Sequence, residues 1–88
     1  MNGPQTRTAP MDAAEVEPNA DRLFDLGILH ATDRDGEPDL VAAHMWFNLS
    51  AQRGNPDAAY HRQQIADDMS QAEIASAQRA AREWLRAH

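Results

Sequence analysis

Hydrophobic residues recur every three or four positions through most of the chain, which is the spacing of one face of an α-helix. The first such stretch runs from about Ala20 to His30, and either Asn19 or Asp21 can cap its free N–H groups. Its apolar face carries Leu23, Leu26, Gly27 and His30. Because Gly27 lowers helix propensity there, we expect it to let a neighbouring helix approach closely.

A second helix is predicted from near Asp39, which caps it, to Arg53. Gly54 suits the position just after a helix, where the backbone often takes the left-handed conformation. The apolar positions almost encircle this helix: Leu40, Val41, Ala43, Trp46, Phe47, Leu49 and Ser50. A helix that is apolar nearly all round must lie between neighbours.

Two further helix starts follow. Asn55-Pro56-Asp57 is typical of an N-cap, a proline at the first helical position and an acid in the first turn, and it predicts a third helix from Pro56 to about Asp68. Ser70-Gln71-Ala72-Glu73 is a capping-box pattern. It predicts a fourth helix whose apolar stripe continues through Trp84 to the end of the chain.

Residues 1–19 contain Pro4, Pro10 and Pro18 and have no periodic apolar pattern, so we predict a flexible leader there. A short helical turn over residues 12–17 is the alternative within it. The chain has five Val and Ile residues and three Thr residues, too few for a sheet of any size. We therefore predict an all-α domain over residues 20–88.

The sequence contains a short motif that occurs twice. Ala42-Ala43-His44-Met45-Trp46-Phe47 and Ala80-Ala81-Arg82-Glu83-Trp84-Leu85 share Ala-Ala-x-x-Trp followed by a large apolar residue. The offset of 38 residues, which also relates Ala20 to Ala58, lies in the range of solenoid repeats. At this offset Leu26-Gly27 corresponds to Gln64-Ile65, so the second copy has drifted.

With these features the chain resembles the Sel-one-like repeat family, a branch of the tetratricopeptide-type α-solenoids. The matching residues are Leu26-Gly27, Gly36, Asp39, Ala43, Trp46, Ser50-Ala51, Gly54 and Ala58. The chain departs from the family pattern at His30, at Ser50 and at Arg62-Gln63, which stands in place of the next Leu-Gly. The resemblance implies four antiparallel helices forming a short α-solenoid. About one full repeat would cover residues 20–60, and a degenerate terminal copy, capped by the last helix, would cover residues 61–88.

Charge and cysteine content exclude several function classes. Fourteen acids against eight arginines give a formal net charge of −6, and such an acidic surface argues against nucleic-acid binding. The absence of cysteine excludes disulfides, thiolate catalysis and cysteine-ligated zinc. No apolar run approaches the length of a signal-peptide core or a membrane span. The simplest expectation is a cytoplasmic protein.

The histidines and carboxylates do not form a recognisable metal or catalytic pattern. His30, His44, His61 and His88 lack ligand spacing, so we expect surface or helix-flank positions for them. Asp33-x-Asp35-Gly36 is similar to a calcium loop, but the ligand positions at either end would be Ala31 and Ala42. The cluster Asp33, Asp35, Glu37 and Asp39 is therefore interpreted as a solvated loop.

No nucleophile context surrounds the serines Ser50, Ser70 and Ser76. Paired carboxylates need a pocket that shifts their pKa values, and four short helices offer little concavity. We therefore expect no catalytic, cofactor or metal site. Nine residues are assigned structural roles: Leu26, Gly27, Asp39, Ala43, Trp46, Gly54, Ala58, Ser70 and Trp84.

Three aromatic residues are candidates for partner contacts. Trp46 and Trp84 lie at helical spacing among Ala and Leu, which favours the core over an exposed binding anchor. Tyr60 lies on a polar helix, and two alternatives stay open for it: a partly exposed contact residue or a packed, hydrogen-bonded tyrosine.

The family resemblance implies an adaptor or scaffold that binds another protein and has no chemistry of its own. In this family the first helices of each repeat line the concave surface. Carried onto this chain, that places Arg22, Asp25, Leu29, Tyr60 and Gln64 near the partner. The main alternative is a structural or regulatory subunit that is stable only in a homo-oligomer or in a larger enzyme complex, because exposed solenoid ends favour association. A small metal-dependent enzyme is the third hypothesis.

Overall fold

The computed structural model of the protein describes residues 19–32 and 36–88. Within those ranges the chain is all-α and contains no strand. The elements are α1 (Ala20–Ala31), α2 (Leu40–Gln52), α3 (Ala58–Ala66) and α4 (Gln71–Ala87). Residues 1–18 of the predicted leader, with the helical turn proposed within it, and the loop carboxylates Asp33 and Asp35 lie outside the described residues.

Side-chain caps fix three of the helix starts. The Asn19 side chain accepts a hydrogen bond from the Arg22 N–H at 2.9 Å, so Asn19 rather than Asp21 caps α1. Asp39 caps α2 by accepting from the Ala42 N–H at 3.0 Å. At α4, Ser70 Oγ accepts from the Glu73 N–H at 3.0 Å, and Glu73 Oε1 accepts from the Ser70 N–H at 2.8 Å. The predicted capping box is confirmed.

α3 is shorter than the sequence predicted. It begins at Ala58 and ends at Ala66, instead of running from Pro56 to about Asp68. Asn55 Oδ1 does accept from the Asp57 N–H, at 2.8 Å, but this bond closes a turn ahead of the helix. Asp57 adds no side-chain cap, and the bond from the Ala58 N–H to the Asn55 carbonyl is long, at 3.4 Å. The first turn is therefore too open to count as α-helix.

α2 is the central element, as its apolar circumference predicted: it packs against α1, α3 and α4. α1 and α2 run in opposite directions, because contacts join them at both ends. Near one end, Ser50 Oγ donates to the Ala20 carbonyl at 2.6 Å. At the other, the Asp39 N–H donates to the His30 carbonyl at 2.9 Å.

Small residues set the close contacts around α2. A Cβ atom added at the buried Gly27 would lie 2.5 Å from two ring carbons of Phe47, so the expected close approach is observed at this position. Ala43 and Ala58 are fully buried. Gly54 has a φ of +106°, the left-handed conformation expected after α2.

The two copies of the Ala-Ala-x-x-Trp motif meet across the α2–α4 interface. Ala43 and Ala81 are both buried, and the rings of Trp46 and Trp84 form an edge-to-face pair with centroids 6.2 Å apart. Both tryptophans are partly buried against the core cluster of Leu23, Leu49 and Ala81, and Leu26 packs there as well. Their favoured interpretation as core residues therefore agrees with the structure.

The second half of the chain does not repeat the first. α1 and α2 form the most extensive helix pair, whereas the consecutive helices α3 and α4 have little direct contact. α4 packs on α2 instead. This arrangement leaves a cleft between α3 and α4 with α2 as its floor.

Candidate functional site

One candidate surface is an exposed tyrosine that is joined to the core by a series of edge-to-face and tilted ring contacts. We call Tyr60, His61, Phe24 and Phe47 the aromatic cluster. The Tyr60 and His61 ring centroids lie 5.8 Å apart, those of His61 and Phe24 4.9 Å apart, and those of Phe24 and Phe47 5.5 Å apart. The cluster runs from the buried Phe47 to the surface, where Tyr60 is 65% exposed.

The backbone fixes the cluster on three helices. The His61 ring is held by a 3.0 Å hydrogen bond between Nδ1 and the Asp57 carbonyl one turn earlier. Phe24 belongs to α1 and Phe47 to α2. Because Tyr60 is exposed and its recorded contact is with the His61 ring, the structure favours the contact-residue interpretation over a packed, hydrogen-bonded tyrosine.

The five residues predicted to bind a partner are all exposed: Arg22, Asp25, Leu29, Tyr60 and Gln64. The ring contact that joins α1 to α3, between Phe24 and His61, includes none of them. On α1, Arg22 lies two residues before Phe24 and Leu29 lies five residues after it, whereas Tyr60 directly precedes His61 on α3. Of the five predicted residues, Tyr60 is the one that belongs to the aromatic cluster.

A second candidate site is the cleft between α3 and α4, with a volume of about 360 Å³. It is lined by His44, Asn48, Arg62, Gln63, Ala66, Ile74 and Gln78. On its α3 side, Arg62 Nη1 donates a hydrogen bond to Asn48 Oδ1 at 2.9 Å, which ties the guanidinium to α2.

His44 contradicts the expectation that every histidine lies on the surface or a helix flank. It is only 4% exposed, and its Nδ1 atom is buried without a hydrogen-bond partner. In His30, His61 and His88, Nδ1 lies 2.9–3.0 Å from the carbonyl four residues earlier. Burial, with a smaller contribution from the Arg62 charge, lowers the pKa of His44 below its ordinary value, so the ring is neutral at pH 7.

Sequence reasoning missed the His44 cleft, although one signal pointed to it. His44 follows Ala43 on the helix that is apolar nearly all round, so the argument that surrounds α2 with neighbours also buries His44. The cleft itself could not be read from the sequence, since it depends on how far apart α3 and α4 lie.

A shallow depression of about 520 Å³ also lies near the starts of α2 and α4, beside Glu37, Asp39 and Glu73. Asp39 and Glu73 accept backbone N–H groups as caps, so both already serve a structural purpose. In the described ranges, no three His, Asp or Glu side chains are grouped as a metal would need.

No helix in the described residues is long and apolar enough to cross a membrane. Comparison of the chain with protein-family models, with curated proteins and with solved structures finds no match.

Proposed function

We propose that the protein is a small protein-interaction module, an adaptor or scaffold of the Sel-one-like type without catalytic activity. The partner binds the face formed by α1 and α3, around Tyr60 and Arg22. The observation that carries this proposal is the 65% exposure of Tyr60 at the outer end of the aromatic cluster. A tyrosine side chain has only two torsions and so loses little conformational entropy on binding, and tyrosine is enriched among residues that dominate interface energies.

The solenoid assignment rests on the sequence resemblance and is supported by three features. Gly27 lets α1 and α2 pack closely, Ala58 is fully buried where α3 begins, and the two Ala-Ala-x-x-Trp segments face each other. The slight contact between α3 and α4 suits a terminal, capping copy rather than an internal repeat.

The proposal predicts that Tyr60→Ala and Arg22→Glu each weaken partner binding. The partner is first captured with the tagged full chain and identified by mass spectrometry, and its affinity is then measured by calorimetry. Tyr60→Ala is expected to cost about 2 kcal/mol of binding free energy, roughly thirtyfold in affinity. Both changes leave the helical circular-dichroism signal intact, because both residues are exposed.

Matched controls lie on α4. Leu85→Ala removes an exposed apolar side chain, and Arg82→Glu reverses an exposed charge, at positions outside the proposed face. Both controls should bind like the unaltered chain. Equal affinity for Tyr60→Ala and the unaltered chain would contradict the assignment of this face.

The alternative, a structural subunit stable only when assembled, is favoured by a different observation. Leu29 on α1 and Leu85 on α4 are 44% and 40% exposed, which leaves apolar side chains on both outer helices. A melting temperature that rises with protein concentration would support self-assembly. A monomeric melt independent of concentration would count against it.

A further inference from the structure

If the second half of the chain repeated the first, α3 and α4 would pack directly against each other as α1 and α2 do. The cleft lies in the place of that contact. On α1, Gly27 permits contact with Phe47 of α2. The corresponding residue 38 positions later is Ile65, and the side chains of Arg62 and Gln63 line the gap. The gap is therefore edged by polar groups on its α3 side instead of being filled by interlocking apolar side chains.

Arg62 brings a positive charge to this cleft without a neutralising carboxylate. Its recorded bond is the one to Asn48, which uses a single N–H of the five that a guanidinium carries. Among the described residues the ion pair formed is that between Arg86 and Glu83 on the outside of α4. The guanidinium is half-buried and tethered, so it presents its remaining donors with little further loss of freedom.

His44 gives the cleft a buried polar floor. A buried ring nitrogen without a partner is costly, and such an atom in a native fold calls for a ligand or a water that satisfies it. In the other three histidines, Nδ1 lies within hydrogen-bond distance of the carbonyl four residues earlier. His44, whose Nδ1 has no such partner, is the histidine that lines the cleft. Ile74 on α4 and Ala66 on α3, one turn after Arg62, supply the apolar part of the lining.

We propose that the cleft binds a small carboxylate that carries a short aliphatic tail. Arg62 holds the carboxylate through its free N–H donors, and Ile74 and Ala66 contact the tail. Since a water takes up about 30 Å³ of liquid volume, a cleft of about 360 Å³ accommodates a ligand of roughly twelve non-hydrogen atoms. The same chemistry is offered by a free branched-chain acid and by the C-terminal residue of a peptide, and the experiment separates these sources.

This proposal goes beyond the interaction function and does not depend on it. The cleft residues lie between α3 and α4, whereas the proposed partner face is formed by α1 and α3 around Tyr60. Either proposal can fail while the other stands.

The test is an NMR titration of the full chain, labelled with ¹⁵N and ¹³C, with isovalerate. We expect saturable shifts at Arg62, His44 and Ile74 with a dissociation constant of about 1 mM, as befits so small a ligand. Isovaleramide, the uncharged isostere, should bind at least about tenfold more weakly because it lacks the charge that Arg62 recognises. The absence of saturable shifts, or equal binding of the amide, would overturn the proposal.

A second arm compares N-acetyl-leucine with N-acetyl-leucinamide. Binding of N-acetyl-leucine about tenfold tighter than isovalerate would support a peptide C-terminus as the source. Binding equal to or weaker than that of isovalerate would support a free acid. In either case the leucinamide should bind more weakly than N-acetyl-leucine, and equal binding would count against carboxylate recognition.

Two variants check the site by independent means. Arg62→Gln should weaken isovalerate binding at least about tenfold, while Arg86→Gln, an exposed residue near the end of α4, should not change it. Gln78→Glu places a negative charge at the exposed rim of the cleft and should repel the ligand without disturbing the fold, whereas Gln71→Glu, at the start of α4, should have no effect. Unchanged binding in both Arg62→Gln and Gln78→Glu would refute the proposal.

Discussion

Gly27 determines how closely α1 and α2 approach each other. Its place on the apolar face predicted a close approach, and the structure identifies the neighbour as the ring of Phe47. Phe47 is 1% exposed and belongs to the aromatic cluster, so it has little room to yield. The sequence could mark this glycine as unusual, but the partner ring comes from a residue 20 positions away.

We expect Gly27→Ala to destabilise the protein although alanine is the better helix former. Crowding against Phe47 costs about 1–3 kcal/mol, and the gain in helix propensity recovers at most about 1 kcal/mol. Urea unfolding followed by circular dichroism measures the net loss. Phe47→Leu in the Gly27→Ala background should restore part of the stability. A Gly27→Ala protein at least as stable as the unaltered chain would contradict the packing argument.

His44 makes the stability depend on pH. Its pKa is lowered in the folded state by burial and by the Arg62 charge, and is near 6.5 in the unfolded chain. The unfolded state therefore binds more protons as the pH falls below about 6.5, so this contribution to stability is present above that value and is lost at lower pH. The charged group facing His44 from α3 is Arg62, and the cleft residues from α4 are the uncharged Ile74 and Gln78.

The measurement is the change in melting temperature between pH 7.5 and pH 5.5. The unaltered chain should lose more stability over this interval than His44→Gln, in which the titrating group is absent. An identical pH response in His44→Gln and the unaltered chain would exclude His44 as the source.

At the scale of the elements, the sequence predicted the helices whose ends are fixed by local bonds. Asn19, Asp39 and Ser70 each accept a backbone N–H three residues ahead, so the information lies within one turn. α3 was predicted too long at both ends because Asn55-Pro56-Asp57 forms a turn before the helix and Asp67 follows its end.

Ser70→Ala is expected to destabilise the protein by about 1 kcal/mol, since it removes one of the two capping-box bonds at the start of α4. Thermal and urea unfolding measure the loss. Ser76→Ala on the same helix removes a hydroxyl whose bond is to the exposed Arg79, and it should change stability by less than about 0.5 kcal/mol. Equal effects of the two substitutions would show that the cap contributes nothing beyond a surface hydrogen bond.

At the scale of the molecule, α4 is held to the rest of the chain through α2. Trp84 is the central contact: its ring packs edge-on against Trp46, lies 5.4 Å from the Arg53 guanidinium carbon and stacks on His88 at 4.1 Å. Because α3 and α4 touch little, the last helix depends on its interface with α2, where Ala77 and Ala81 are also buried.

Trp84→Ala should therefore cost about 2–4 kcal/mol, somewhat below the value for a fully buried tryptophan because Trp84 is only partly buried. A chain of this length has a total stability of about 4–13 kcal/mol, so a large share would be lost. Leu85→Ala, at the neighbouring residue that is 40% exposed, is the matched control and should cost less than about 1 kcal/mol. Urea unfolding compares them, and similar losses for the two would show that Trp84 does not anchor α4.

The sequence by itself determined the all-α class, the capped starts of α2 and α4, the central position of α2 and the need for a small residue at Gly27, and it narrowed the cap of α1 to Asn19 or Asp21. Each follows from contacts within one turn or from a periodicity along one helix, which the order of residues encodes directly. Only the tertiary structure decided that α4 packs on α2 rather than on α3, and that His44 lies buried at the floor of the resulting cleft. Those features depend on the spacing between helices, which is set by side chains meeting from distant parts of the chain and has no local signature.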